Sequence, residues 1–338
     1  MRAMKILFCS YVFPPNIGGI ETVSRILASE FCRLGSTVTV VTSTPGEQVA
    51  ASYEVIRRPS LRKLRRLARD ADIIFENNIS LKTLLPLWLC RKPIVITHQG
   101  CLTRLDGSRR WREHLKLSLL RFCHNIAISK AVADALPVES IIIGNPFEPD
   151  EFEEGGKAGR DRDIVFLGRL VSDKGCDLAI RALAILKTQG LNPSLTVIGD
   201  GPEMPALKQL TTELGLNSQV EFLGTIREGR GKVVARHRIM VVPSIWEEPF
   251  GVVALEGIAA GCAVVASRGG GLPEAVGPCG ILVPNGDAER LASAIKDLIT
   301  DASLRDQLTA GRKHHLEHFQ PEIVAKRYLE VFESALRK

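Results

Sequence analysis

The chain has 338 residues, of which 45% are apolar, 24% charged and only 5% aromatic, with a formal net charge of +6. That length suits about two domains at ~150 residues each, and the composition excludes a disordered tail, a collagen-like repeat and a disulfide-built mini-domain. No apolar stretch approaches the ~20 residues needed to cross a bilayer.

In chain order, short apolar runs alternate with helical periodicity from end to end, the pattern of parallel sheets covered by helices on both faces. The first half predicts strands at 5–10, 38–43, 53–57, 72–76, 94–98, 125–129 and 140–143. The second half predicts strands at 163–168, 195–199, 220–223, 239–243, 263–267 and 280–283. Two Rossmann-like units are implied. Residues 1–10 carry only a short apolar run and read as a first strand rather than a signal peptide, so a cytoplasmic protein is expected. Between Asn145 and Arg162, prolines, acidic residues and Gly155-Gly156 interrupt the periodicity, which predicts a linker. The last helix, about 321–336, places Ile323, Val324, Tyr328, Val331, Phe332 and Ala335 on one stripe that needs an apolar surface to cover.

Charge is uneven. Residues 1–150 hold 21 Lys+Arg against 13 Asp+Glu, whereas residues 151–338 hold 23 against 25. The excess gathers in Arg57, Arg58, Arg62, Lys63, Arg65, Arg66 and Arg69, and again in Arg104, Arg109, Arg110, Arg112, Lys116 and Arg121. Both groups fall on amphipathic patterns, either solvated helix faces or a surface drawn to anionic lipid head groups or an anionic acceptor, with Trp88 and Trp111 as candidate interfacial anchors. Nucleic acid is not expected, because few aromatics interleave with these charges. The eight cysteines form no C-x-x-C pair and read as reduced core thiols. His314, His315 and His318 read as a solvated helix end rather than a metal site, so no metal is expected.

In open α/β sheets, ligands bind beyond the carboxyl ends of the strands. Four stretches lie there. Gly18 and Gly19 precede a helix and suit either a tight turn or an anion at its amino end. Gly168-Arg169-Leu170 through Lys174-Gly175 offers a planar fork and an ammonium to a pyrophosphate. Gly199-Asp200-Gly201-Pro202 repeats the strand, turn and helix order and suits a pocket floor. The stretch from Pro243 to Gly261 is the most informative: Pro249 keeps Glu248 in an extended loop, and a helix of small and apolar residues comes next, with Glu256 its only charge. A carboxylate buried there needs an internal arginine, backbone groups or the hydroxyls of a ribose.

These motifs resemble glycosyltransferase family 4, retaining transferases of the GT-B fold, over essentially the whole chain. The most specific element is the pair Glu248 and Glu256 with seven residues between them, in Pro-Ser-x-x-Glu-Glu-Pro-Phe-Gly. The resemblance implies two Rossmann-like domains facing each other across a cleft: an acceptor domain of residues 1–147 completed by the crossing C-terminal helix 319–338, and a donor domain of residues 148–318. It also implies a nucleoside-diphosphate sugar of UDP or GDP type as donor substrate, with no other cofactor. Arg169 and Lys174 would neutralise the diphosphate, Glu256 would hold the ribose, and Glu248 with Phe250, Gly251 and Val252 would hold the sugar. Gly168 would shape the turn, Gly18 and Gly19 would close over the phosphates, His98 would stand near the reacting sugar, and Thr225 and Ile226 would flank the base. The implied function is transfer of a hexosyl unit to a hydroxyl acceptor, a sugar, lipid-linked sugar or metabolite, in polysaccharide or glycolipid assembly. Such an enzyme would be cytoplasmic, with peripheral contact to an anionic inner membrane face. The alternatives are a nucleotide-sugar epimerase of similar fold and a catalytically degenerate binding protein.

Overall fold

A computed structural model describes residues 3–16, 18–47, 51–100, 111–152 and 159–337. The chain divides into two compact units, Met1–Pro146 with Phe319–Lys338, and Phe147–His318. Each is built on one parallel sheet.

In unit 1 the strands are β1 (Lys5–Ser10), β2 (Thr37–Thr42), β3 (Glu54–Arg57), β4 (Ile73–Asn77), β5 (Ile94–His98), β6 (His124–Ala127) and β7 (Ile141–Ile142), in the spatial order β3-β2-β1-β4-β5-β6-β7. Its helices are α1 (Gly19–Arg33), α2 (Leu61–Asp70), α3 (Leu81–Trp88), α4 (Trp111–Leu119) and α5 (Lys130–Asp134). Unit 2 begins with α6 (Pro149–Phe152), followed by β8 (Arg162–Leu167), α7 (Cys176–Thr188), β9 (Leu195–Ile198), α8 (Met204–Glu213), β10 (Val220–Gly224), α9 (Arg230–Val234) and β11 (His237–Val242). It continues through α10 (Val252–Ala259), β12 (Ala263–Ser267), α11 (Leu272–Val276), β13 (Gly280–Val283), α12 (Ala288–Thr300), α13 (Ala302–Ala310) and α14 (Arg312–Glu317). Its strand order is β10-β9-β8-β11-β12-β13. In both sheets the order reverses direction after the first strand of the unit, which leaves a crevice at the carboxyl ends of the central strands.

The last helix, α15 (Pro321–Arg337), belongs to unit 1 and packs on α1. The sparse aromatics are concentrated there: Phe31 and Phe75 meet Phe332 with ring centroids 5.4 and 5.2 Å apart, and Thr97 Oγ1 donates to the Tyr328 hydroxyl at 3.2 Å. Burying an aromatic of this size contributes about 1.5–3 kcal/mol, enough to hold a helix far along the chain against the first sheet. Of the predicted apolar stripe, Ile323 turns out to solvent and Ala325 takes a buried place instead. The opposite face of the sheet is covered by α2 and α3 through Leu64, Ala68, Leu84 and Leu87.

The predicted linker is more ordered than its composition suggests. Phe147 and Phe152 are fully buried, and α6 packs on α9 and α10. Two buried rings outweigh the chain-breaking tendency of the two prolines beside them. Glu153, Glu154 and Gly155-Gly156 lie outside the described residues, as do Cys101, Arg104, Arg109, Arg110 and the side chains of Trp111 and Arg112.

Candidate active site

The turns after β8, β9, β10 and β11 are stitched backbone to backbone. Leu170 N donates to Asp200 O at 2.9 Å, Gly199 N to Gly224 O at 2.8 Å, and Ile245 N to Asp173 O at 2.9 Å. Glycine is required where these turns touch. A Cβ at Gly199, with φ 138, would lie 1.9 Å from Gly168 O, and one at Gly175, with φ 67, would lie 2.0 Å from Pro243 O. Side chains cannot separate these loops, so the groups they carry are set by rigid backbone.

This brings Lys174 and Glu248, 74 positions apart, into an ion pair in which the Lys174 ammonium donates to Glu248 Oε2. Ser244 Oγ lies 3.2 Å from the same oxygen. Both ends of the pair are partly buried, which favours a fixed geometry over a surface contact. Glu248 also turns the chain: its carbonyl accepts from Gly271 N at 2.7 Å. Three residues on, Gly251 takes φ 98 and opens α10, and no side chain caps the amides of the first turn. An uncapped helix start is a place for an anion. Arg169, at the end of β8, is exposed, and its guanidinium pairs with nothing among the described residues. Phe250 is buried beneath the turn, and Val252 is half-buried at the start of the helix. Gly168 adjoins the Gly199 turn, and Thr225 and Ile226 continue directly from β10.

Glu256 stands one helical turn and more beyond this point, in a different setting. It is 7% exposed, and its carboxyl makes no hydrogen bond with any described residue. Burial pushes it up to about 7, against the pull of Arg230 and with the push of Glu148 and Glu151. The internal arginine foreseen for this carboxylate is therefore present, but it acts through charge alone. Arg230 spends its hydrogen bonds on Glu151, at 3.1 and 2.6 Å, and on Glu148, at 3.0 Å. Neither Arg230 nor the two glutamates could be singled out from the sequence, because they sit in what reads as a basic segment and a linker. The only hint is the pair of glycines around Arg230.

The unit 1 candidates fall elsewhere. His98 ends β5 and is fully buried; its Nε2 meets Asn125 Oδ1 at 3.0 Å. Asn125 Nδ2 donates to the Leu120 and Cys123 carbonyls, so its oxygen faces the ring and the proton belongs on Nε2. His98 Nδ1 is left as a buried acceptor without a partner among the described residues, and burial lowers the pKa, which favours the neutral ring. At the start of α1, Gly18 is overlaid by the chain's own Glu21: a Cβ on Gly18 would lie 2.5 Å from Glu21 Oε2. The amino end of α1 is thus faced by a carboxylate, which competes with any outside anion. Gly19 has open space around it.

Two doubly wound units, with Arg169, the Lys174–Glu248 pair and an uncapped helix start at the strand ends of the second, define a glycosyltransferase of the GT-B type. Residues 147–315 match the family described as Glycosyl transferases group 1, residues 17–137 match Glycosyltransferase Family 4, and the chain belongs to this family. It is 33% identical to the GDP-mannose-dependent alpha-(1-6)-phosphatidylinositol monomannoside mannosyltransferase of Mycolicibacterium smegmatis, over 91% of this chain and 93% of that one. It is 36% identical to the lipopolysaccharide core biosynthesis glycosyltransferase LpsD of Rhizobium meliloti, over 52% of this chain and half the length of that relative. Among solved structures, Anabaena Alr3699/HepE in complex with UDP superposes with a TM-score of 0.82 at 24% identity, covering 98% of this chain and all of that one.

Proposed function

We propose that the protein is a retaining hexosyltransferase that takes a nucleoside-diphosphate sugar in unit 2 and passes the hexose to a hydroxyl acceptor of a polysaccharide, glycolipid or metabolite. The observation that carries this reading is the Lys174–Glu248 pair at the uncapped start of α10, with Arg169, which pairs with nothing among the described residues, in the same strand-end turn as Lys174. As the bond from the anomeric carbon to the diphosphate oxygen breaks, negative charge grows on the leaving group. Arg169, Lys174 and the first-turn amides of α10 stabilise that charge without a metal. Glu248 accepts hydrogen bonds from the sugar, and Glu256 holds the ribose diol. Glu248 is committed to Lys174 and Ser244 and is a poor nucleophile, so we favour attack by the acceptor on the same face, its proton passing to a departing phosphate oxygen. In unit 1, His98 offers one acceptor atom, Nδ1, of a kind suited to a sugar hydroxyl. Binding of UDP by HepE and the GDP-mannose dependence of the mycobacterial relative support donors of the UDP or GDP type.

Replacing Arg169 or Lys174 by alanine is expected to lower kcat about 10²–10³-fold in protein that melts normally. Unchanged turnover in both variants would sink the assignment. Activity is expected to persist in EDTA.

Peripheral membrane contact is part of the same proposal. α2 presents Arg62, Lys63, Arg66 and Arg69 to solvent, and it packs on α3. Beside it Leu89 and Phe122 are each 73% exposed, with Trp88 edge-on to Phe122 at 5.7 Å. Basic charge next to exposed apolar groups suits an anionic bilayer. Arg57 and Arg58 take no part, because their guanidinium groups are bound to backbone carbonyls of Pro14, Ser43, Thr44 and Glu47. Vesicles rich in anionic lipid should retain the protein at low salt and release it at high salt; equal retention on neutral vesicles would refute this contact.

A further inference from the structure

The carboxyl ends of the central strands of unit 1 are crossed by a run of buried polar side chains that the transfer described above does not use. Ser10 ends β1, Asn77 ends β4, Gln99 directly follows β5, Ser24 lies on α1 and Asn145 stands after β7. Gln99, at 8%, is the most exposed of them. It is also the centre of the run. Its Nε2 donates to Asn77 Oδ1 at 2.9 Å and to Asn145 Oδ1 at 3.2 Å, and its Oε1 accepts from Asn145 Nδ2 at 2.9 Å. Asn77 Nδ2 donates in turn to Ser24 Oγ at 2.7 Å, and Ser24 Oγ donates to the Ile20 carbonyl at 2.7 Å. Ser10 Oγ lies 2.9 Å from Ser24 Oγ and donates to the Val12 carbonyl at 2.7 Å. The direction of the run is set from this end. The single Ser24 proton goes to Ile20, so Ser24 accepts from the Asn77 amide; Asn77 Oδ1 is then left for Gln99, and both Nε2 protons of Gln99 are committed.

β5 lies between β4 and β6, and its last residues are tied to both neighbours. On the β6 side, His98 pairs with Ala127 in the ladder, and its ring meets Asn125. On the β4 side, the ladder ends at the Asn77–Thr97 pair, with a backbone bond from Asn78 N to Thr97 O at 2.8 Å. Beyond Thr97, the side chain of Gln99 takes over from the backbone and joins this strand end to Asn77.

We propose that Gln99 is a positioning residue for the transfer reaction: joined to Asn77 and Asn145, it holds the end of β5 so that His98 presents Nδ1 at a fixed point. The proposal rests on the reading of His98 as the group beside the reacting sugar. The bond to Asn125 orients the ring, and the Gln99 bonds fix the backbone that carries it. Removing the Gln99 amide leaves Asn77 Oδ1 and the Asn145 amide buried without these partners, and a shift of the strand end is what relieves them. A displacement of about 1 Å at a reacting group lowers a rate by up to about 100-fold. The nucleoside diphosphate, held on the same reading by unit 2, would not sense it.

Gln99→Met keeps the length of the side chain and removes the amide. With UDP-glucose or GDP-mannose as the probe, whichever is turned over, kcat for release of the nucleoside diphosphate should fall about 10–100-fold, while calorimetric affinity for free UDP or GDP stays within about twofold. The deciding measurement is a double-variant cycle. If Gln99 acts through His98, Gln99→Met should lower kcat no further once His98 is replaced by alanine. Losses that multiply in the double variant would show that Gln99 acts on the fold at large, and the proposal fails; it fails equally if Gln99→Met alone leaves kcat unchanged. A normal kcat in His98→Ala would instead overturn the reading of His98, and the proposal with it, a result distinct from an impaired His98→Ala beside an unaffected Gln99→Met. Asn145→Ala removes one of the two partners of Gln99 and should show a smaller drop with the same dependence on His98. It decides the question if Gln99→Met melts too low to assay.

Discussion

Glu76 in unit 1 and Glu256 in unit 2 are both glutamates taken out of water, and they are kept in different company. Glu76 lies on β4 facing the apolar side that α3 covers, where Oε2 accepts from Thr83 Oγ1 at 2.9 Å and Oε1 has no partner among the described residues. Burial pushes it up to about 8, with only hydrogen bonds from Thr83 and the Ser80 backbone to oppose this. Glu256 is buried too and is pushed up to about 7, the charge of Arg230 opposing burial and those of Glu148 and Glu151 adding to it. Burial acts alike on both. What opposes burial differs: hydrogen bonds from Thr83 and Ser80 at Glu76, and the charge of Arg230 at Glu256. The glycine turns also differ: Gly175, Gly199 and Gly201 in unit 2 are locked against neighbouring carbonyls, while a Cβ on Gly19 in unit 1 would meet nothing among the described residues.

The largest effect expected from breaking this contrast is on stability. Gly199→Ala would drive a methyl into the Gly168 carbonyl at a backbone angle that disfavours a side chain, and should cost about 3 kcal/mol in urea unfolding. A loss near zero would mean that the turns are not locked. Next, Glu256→Gln should raise the donor KM about 10–100-fold, as expected for losing a charged hydrogen-bond acceptor, while Glu76→Gln should leave KM unchanged. Equal effects from the two would erase the distinction between them.

The third prediction concerns pH. Both glutamates have folded values above the ordinary 4.5, so the folded chain holds these protons more tightly than the unfolded one. The stability each contributes is complete below about 4.5 and is lost as pH rises, up to about 7 for Glu256 and about 8 for Glu76. The slope per group is at most about 1.4 kcal/mol per pH unit. Urea midpoints at pH 5, 6, 7 and 8 should fall less steeply in Glu76→Gln across the whole range; a profile parallel to the unaltered chain would show that Glu76 ionises freely. The smallest effect is expected from Gly19→Ala, within about 0.5 kcal/mol, since nothing lies within 4 Å of the added carbon. A large loss there would show that this turn is also tightly packed.

Much of this molecule was legible in its sequence. Every predicted strand appears within two residues of its place; the central ones are buried on both faces and so read as local apolar runs that need no knowledge of their neighbours. The motif from Pro243 to Gly261 also declares itself: Pro249 bars helix at Glu248, and Gly261, with φ 81, closes the apolar helix beyond it. Only the folded chain decided the rest. The Lys174–Glu248 pair, the clamp of Glu148 and Glu151 on Arg230, and the Asn125 that sets the tautomer of His98 join residues 27 to 82 positions apart. Glu21, three residues from Gly18, was near enough in sequence, but its fold back over that glycine depends on a rotamer. Strand and helix periods are local physics and can be read along the chain. Which cation faces which carboxylate depends on how two turns meet in space, and the order of the residues does not carry that.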